Sequence, residues 1–324
     1  MKAPFPWFGG KRKVAPEVWA ALGDVDNYVE PFAGSLAVLL ERPAWHNGRT
    51  ETVNDADQYL ANFWRALSYA PDEVAQHADW PVSEADLFSR HLWLVNEGKR
   101  RLRAGMDADP EWYDAKIAGW WLWGVCQWIG SGWCSGTGPH TYETLDALPV
   151  DANAGVGVNR QLVHLGDAGR GDGLIPRNEH LYAYMRQLAA RLRYVRVCCG
   201  DWQRVVTAGA LNHGATVGVF LDPPYSAEAE RDMTLYAQDS GTVAHDVREW
   251  CIANGDNPRY RIVLAGYEDE HAAHMPHTWR TMGWKANAAF QSSRAAGKNQ
   301  ENRHKERLWL SPHCLRPQLP LFGD

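Results

Sequence analysis

Two rhythms of apolar positions alternate near both ends of the chain. NYVEPFAG (27–34) reads as a strand running into a glycine-containing turn, and SLAVLLER (35–42) as the helix after it. TVND (52–55) reads as a second short strand, and Leu60, Phe63, Trp64 and Leu67 follow it at helical spacing. Farther on, HLYAYMRQLAARLR (180–193) puts Leu181, Met185, Leu188 and Leu192 on one helix face, ahead of the strand YVRVCCGD (194–201). VGVFL (217–221) and RIVLAGY (261–267) are further apolar strands. Strands separated by helices predict an α/β fold built on a largely parallel, doubly wound sheet.

The middle of the chain breaks this rhythm. Helical segments and a tryptophan cluster, IAGWWLWGVCQWIGSGW (117–133), lead into the glycine-rich run GVGVNRQLVHLGDAGRGDG (155–173). The cluster is too short to span a membrane and is broken by glycines; a buried helix is predicted, with 117, 120/121, 124 and 128 on its packed face. The pattern therefore predicts a mainly helical domain at 70–178, inserted into a sheet domain made from 1–69 and 179–324.

Composition narrows the classes. With 324 residues and 45% hydrophobic content the chain can bury one large core or two smaller ones. A net charge of −6 gives no general affinity for polyanions, so nucleic-acid contact must come from local basic clusters. Three exist: Lys11 to Lys13, Lys99 to Arg103, and Arg294 to Arg307. The six cysteines show no C-x-x-C spacing, which suits a reducing cytoplasm without structural zinc. MKAPFPWFGGKRK lacks the long apolar stretch of a signal peptide.

The most unusual segment is FLDPPYS (220–226), which closes an apolar strand with an aspartate, two prolines and a tyrosine. Neither proline can donate to a sheet ladder, so the chain after Asp222 is stiff and offers a carboxylate, carbonyl oxygens and an aromatic face. In open α/β sheets ligands bind at this edge. Glu30-Pro31-Phe32-Ala33-Gly34-Ser35 ends the first strand in a turn whose glycine permits close backbone approach. Asp55 ends the second strand, where a carboxylate suits ribose hydroxyls or a helix cap, with Asp57 competing for either role.

The motifs WFGGKRK, EPFAGS, NDAD, GDW and DPPY, in this order, resemble the Dam-type family of adenine-specific DNA methyltransferases, and a phage or prophage origin is expected for the chain. The resemblance implies a Rossmann-like methyltransferase sheet carrying an inserted target-recognition domain, S-adenosylmethionine as cofactor and double-stranded DNA as substrate. It assigns cofactor binding to Trp7, Lys11, Glu30, Phe32, Ala33, Gly34, Ser35, Asp55, Asp201, Trp202 and Asp222. Asp222, Pro223, Pro224 and Tyr225 would carry the reaction: the Asp222 carboxylate and the Pro223 carbonyl accept the two N–H bonds of an adenine amine, and Tyr225 stacks on the extruded base. Leu36 stands where many relatives carry a small residue.

DNA contacts are expected from Lys99, Arg100, Arg101 and Arg103, from Ser131 and Trp133 after the tryptophan helix, and from Arg294 and Lys298 near the C-terminus. Relatives that methylate GATC carry an Asn-Gly-Leu run followed by arginine where this chain has Ser131 to Ser135, so GATC specificity is not implied. Methylation of cytosine N4 and an inactive DNA-binding relative stay open as alternatives. The tail QLPLF, through Gln318, Leu319, Leu321 and Phe322, either packs on the protein itself or docks on a bacterial sliding clamp, which it resembles the ligands of.

Overall fold

The computed structural model describes residues 1–7, 9–43, 48–109, 111–128, 133–134, 177–224, 243–284 and 306–316. Among them seven strands form one sheet: β1 (Asn27–Glu30), β2 (Thr50–Asp55), β3 (Val195–Cys199), β4 (Val217–Leu221), β5 (Tyr260–Tyr267), β6 (Arg280–Gly283) and β7 (Glu306–Leu310). Their order is β3-β2-β1-β4-β5-β7-β6. β1 runs parallel to β2 and β4, and β4 parallel to β5. β7 is antiparallel to both β5 and β6. The chain moves outward from β1 through β2 and β3, then restarts at β4 on the other side of β1. That reversal is the topological switch point of a doubly wound sheet, where the strand ends leave a crevice.

The chain divides into two compact units: Met1–Trp7 with Asp55–Gly200 and Asp232–Gln238, and Phe8–Asn54 with Asp201–Arg231 and Asp239–Asp324. In the second unit every residue of β1 and β4 is buried, as expected of central parallel strands covered on both faces. Helix α1 (Ala15–Leu22) packs on β4 and β5. It begins with a proline in its first turn and ends at Gly23, whose backbone φ of 67° suits glycine at a helix C-terminus.

The other unit is helical, with α2 (Gln58–Tyr69), α3 (Pro71–Ala78), α4 (Glu84–Trp93), α5 (Lys99–Ala108), α6 (Ala115–Gln127) and α7 (Arg177–Leu192); a π-turn, Leu94–Gly98, joins α4 to α5. Leu181, Met185, Leu188 and Leu192 of α7 are buried as their spacing predicts. Phe5 packs its ring against Phe63, Trp64 and Trp121.

Two expectations need correcting. SLAVLLER forms only a short 3-10 turn, Leu39–Glu41. Leu36 sits at φ 55° with its side chain fully buried, and a left-handed residue cannot belong to a right-handed helix. The tryptophan helix α6 has no single packed face. Trp121 and Trp123, which point to different sides, are both buried, because α6 is packed against α2, α3 and α4. A Cβ at Gly119 would overlap His77 and the Val74 carbonyl, so glycine lets α3 approach closely. The sequence pattern did not reveal α1, β6 or α8 (Val243–Asn254). β6 reads RTMG and is exposed at alternate positions, as befits an edge strand without an apolar run.

Candidate active site

β1 and β4 are neighbours in register, Val29 opposite Val219, so the residues just beyond them meet at the switch point. Beyond β1 the chain turns through Pro31, Phe32, Ala33 and Gly34. Gly34 lies at φ 48°, and the Leu36 amide donates to the Ala33 carbonyl at 2.8 Å, tightening the turn. Asn54 of β2 braces it from the side. Its carbonyl accepts from the Ala33 amide at 2.9 Å, and its buried side chain donates to the Pro31 carbonyl at 3.0 Å. The sequence reading passed over Asn54 in favour of the neighbouring aspartates; an amide ending a strand beside a proline turn was the available signal.

Beyond β4 stands Asp222, followed by Pro223 and Pro224. Lys11, only 4% exposed, places its Nζ 3.0 Å from Asp222 Oδ2 and 4.0 Å from Glu306 Oε2. The same ammonium donates to the Gly9 carbonyl at 3.0 Å and lies 5.5 Å from the centre of the Trp284 ring. Buried charges need such partners, because desolvation otherwise costs several kcal/mol.

Glu30 is 2% exposed and accepts a hydrogen bond from the Tyr28 hydroxyl at 2.9 Å. Burial, reinforced by the charge of Asp222 and opposed by the Tyr28 and Leu39 donors, pushes its carboxyl up to about 8. At neutral pH Glu30 is therefore mostly protonated, and the charge of the cluster rests on Asp222, Lys11 and Glu306. Burial raises the Tyr28 hydroxyl as well, with Glu30 adding to it, so Tyr28 stays a donor.

Asp201 is exposed, and its carboxylate accepts from the Gln203 amide at 2.8 Å, capping the 3-10 turn Trp202–Val205. The Trp202 ring is buried, 6.1 Å from the ring of Phe32 and tilted by 32° to it. Ala33 and Ser35 are buried and Phe32 and Gly34 half-buried. Lys11, Glu30, Phe32 to Ser35, Asp201, Trp202 and Asp222 to Pro224 thus all belong to one compact unit.

In the helical unit, Asp55 ends β2 and accepts from the Asp57 amide at 2.9 Å. Asp57, not Asp55, caps α2, accepting from Tyr59 N at 2.8 Å and Leu60 N at 3.4 Å. Desolvation and the neighbouring Asp55 charge push Asp57 up to about 6. Trp7 packs edgewise on Phe5, 5.8 Å between ring centres. Lys99 and Arg103 are exposed on α5, whereas Arg100 pairs with Glu97 and Arg101 lies 2.8 Å from the buried Asp114. The Trp133 indole donates to the Trp121 carbonyl at 3.1 Å and lies against Gly124, where a Cβ would overlap it. Tyr225, Ser131, Arg294, Lys298, Gln318, Leu319, Leu321 and Phe322 lie outside the described residues.

The residues at this edge suit S-adenosylmethionine, which joins a flat, polar adenosine to a cationic sulfonium. Gly34 lets the backbone come close, Phe32 and Trp202 offer flat apolar surface beside the Asp201 carboxylate, and Asp222 and Glu306 outnumber Lys11 in charge. A doubly wound sheet carrying such a switch point, with one reversed strand between β5 and β6, defines a Rossmann-like methyltransferase. Residues 7–88 match the family model of the D12 class N6 adenine-specific DNA methyltransferase. That match supports transfer of a methyl group from S-adenosylmethionine to N6 of adenine in DNA as the activity. No curated protein matches the chain. Among the described residues no helix is long and apolar enough to cross a membrane.

Proposed function

We propose that the switch-point residues divide the reaction between them as follows. An adenine amine is a poor nucleophile because its lone pair is delocalised into the ring. The Asp222 carboxylate and the Pro223 carbonyl accept its two N–H bonds, which frees the lone pair, while the rigid Pro223-Pro224 pair holds both acceptors in place. Tyr225 stacks on the base once it has left the duplex. S-adenosylmethionine, when bound, supplies the methyl group on a sulfonium. Glu30 to Ser35, Asp55, Asp201 and Trp202 hold it, with Trp7 and Lys11 closing over it. As the methyl group moves, positive charge shifts toward the amine beside Asp222, and a fixed anion there favours the transition state.

The observation that carries this reading is the position of Asp222 directly beyond β4, beside the glycine turn of β1, with one carboxylate oxygen engaged by a buried lysine. Replacing Asp222 by alanine should lower methyl transfer by more than about a hundredfold, the loss typical of removing a fixed electrostatic partner. The dissociation constant of S-adenosylmethionine, measured by calorimetry, should stay within about threefold. Activity within about tenfold of wild type would sink the assignment.

Residues 70–178 form the target-recognition domain, inserted into the catalytic domain of 1–69 and 179–324. Lys99 and Arg103 are exposed on α5 and suited to phosphates, which orient DNA without reading its sequence. For the tail Gln318, Leu319, Leu321 and Phe322, docking on a bacterial sliding clamp competes with packing on the protein itself. Fluorescence anisotropy of a labelled 314–324 peptide tests this, and no binding at about 100 μM clamp would discard it.

A further inference from the structure

We infer that Glu306 is a positioning residue for methyl transfer, acting through Lys11 on Asp222. This rests on the reading of Asp222 as the acceptor of the target amine. Glu306 opens β7, and because β7 runs opposite to β5, its first residue pairs with the last of β5, Tyr267. The antiparallel strand therefore delivers a carboxylate to the edge where the parallel strands end, the edge that carries Asp222. Glu306 is itself only 8% exposed. The Trp284 amide approaches its carbonyl at 3.5 Å, and the Trp284 ring flanks Lys11. The next residue, Arg307, pairs with Glu268 at 2.7 Å, and Lys11 lies within 4.0 Å of both Glu306 and Asp222.

The arrangement has a consequence for the acceptor. A lysine ammonium is a point charge on a flexible stem and can settle on whichever carboxylate is nearest. Paired with Asp222 alone, Lys11 would offset much of the negative charge that the target amine needs. Glu306, with Oε2 4.0 Å from the same ammonium, shares its charge, so Asp222 is anchored through Oδ2 yet stays net anionic as positive charge develops on the amine. The residue lies far outside the matched segment 7–88.

The test is a double-mutant cycle on the full-length enzyme, read in single-turnover methyl transfer to duplex DNA. Glu306→Gln should lower the rate about tenfold and leave KM for S-adenosylmethionine and the melting temperature near wild type. Lys11→Met should lower the rate further, and Glu306→Gln in that background should change it less than about twofold. Glu306→Asp, which keeps the charge but shortens its reach, should lie between Gln and wild type, and it replaces Gln in the cycle if Gln does not fold. Multiplicative losses in the double variant, or a Glu306→Gln defect confined to KM, would overturn the inference. An inactive Asp222→Ala with a fully active Glu306→Gln would remove only the role of Glu306; an active Asp222→Ala would remove the reading beneath it.

Discussion

Glu30 is a carboxyl group whose proton is set by its surroundings. The motif EPFAGS marked it as part of a cofactor loop, but its protonation depends on the Tyr28 hydroxyl two residues back and on Asp222, which arrives nearly two hundred residues later. The consequence for stability has the opposite sign to that of an ion-paired acid. A carboxyl raised from about 4.5 to about 8 on folding makes the folded chain bind more protons than the unfolded chain across that window. Stability from this group is therefore full below pH 4.5 and declines as pH rises toward 8, by up to about 1.4 kcal/mol per pH unit. Glu30→Gln keeps the shape of the protonated acid and cannot ionise. Its melting temperature should fall less than wild type between pH 6 and pH 8, and an equal fall in both would contradict the assignment.

At the scale of elements, local pattern was overruled where the tertiary structure imposed its own geometry. The apolar run after Gly34 had the composition of a helix, yet Leu36 is held at φ 55° so that its side chain enters the core, and the helix shrinks to one 3-10 turn. Arg42, which follows that turn, shows what anchors this segment. Its guanidinium lies 2.9 Å from Glu51 on β2, donates to the Val25 carbonyl and stacks 5.0 Å from the Trp19 ring of α1. Glu51 is 2% exposed, so removing its partner strands a buried charge. Arg42→Ala should destabilise the protein by about 3–5 kcal/mol in urea unfolding, whereas replacing Arg42 and Glu51 together by apolar residues of similar volume should recover much of that loss. No recovery would mean that the arginine acts mainly through its packing on Trp19.

Across the whole molecule, two buried groups titrate in opposite senses. His271 is fully buried against Trp309, and burial, helped by Arg248, His245 and His274, holds its imidazole down to about 3. The unfolded chain binds this proton near pH 6.5 and the folded chain does not, so stability falls as pH drops from 6.5 toward 3. Glu30 opposes this slope above 4.5, and Asp57, raised to about 6, opposes it from about 3.8 upward. In thermal melts from pH 3.5 to 9, wild type should lose stability relative to His271→Phe as pH falls from 6.5 toward 3.5, while the two run parallel above pH 6.5. An unchanged acid side in that variant would reject the histidine's role.

Strands β1 to β5, helices α2 and α7 and the edge of the sheet that carries chemistry were legible in the sequence, because apolar periodicity and the glycine and proline turns are local properties that survive folding. So was the enzyme class, since four of its five ordered motifs report strand ends of one sheet. What the sequence could not contain was the pairing among those ends. Lys11, Asp222 and Glu306 come from positions spread across the whole chain, and only the reversed entry of β7 brings Glu306 to the other two. The proton on Glu30, the left-handed Leu36 and the all-round burial of α6 have the same origin. Each is a response to neighbours that no local pattern specifies, and in a close-packed interior those neighbours decide charge state and backbone conformation.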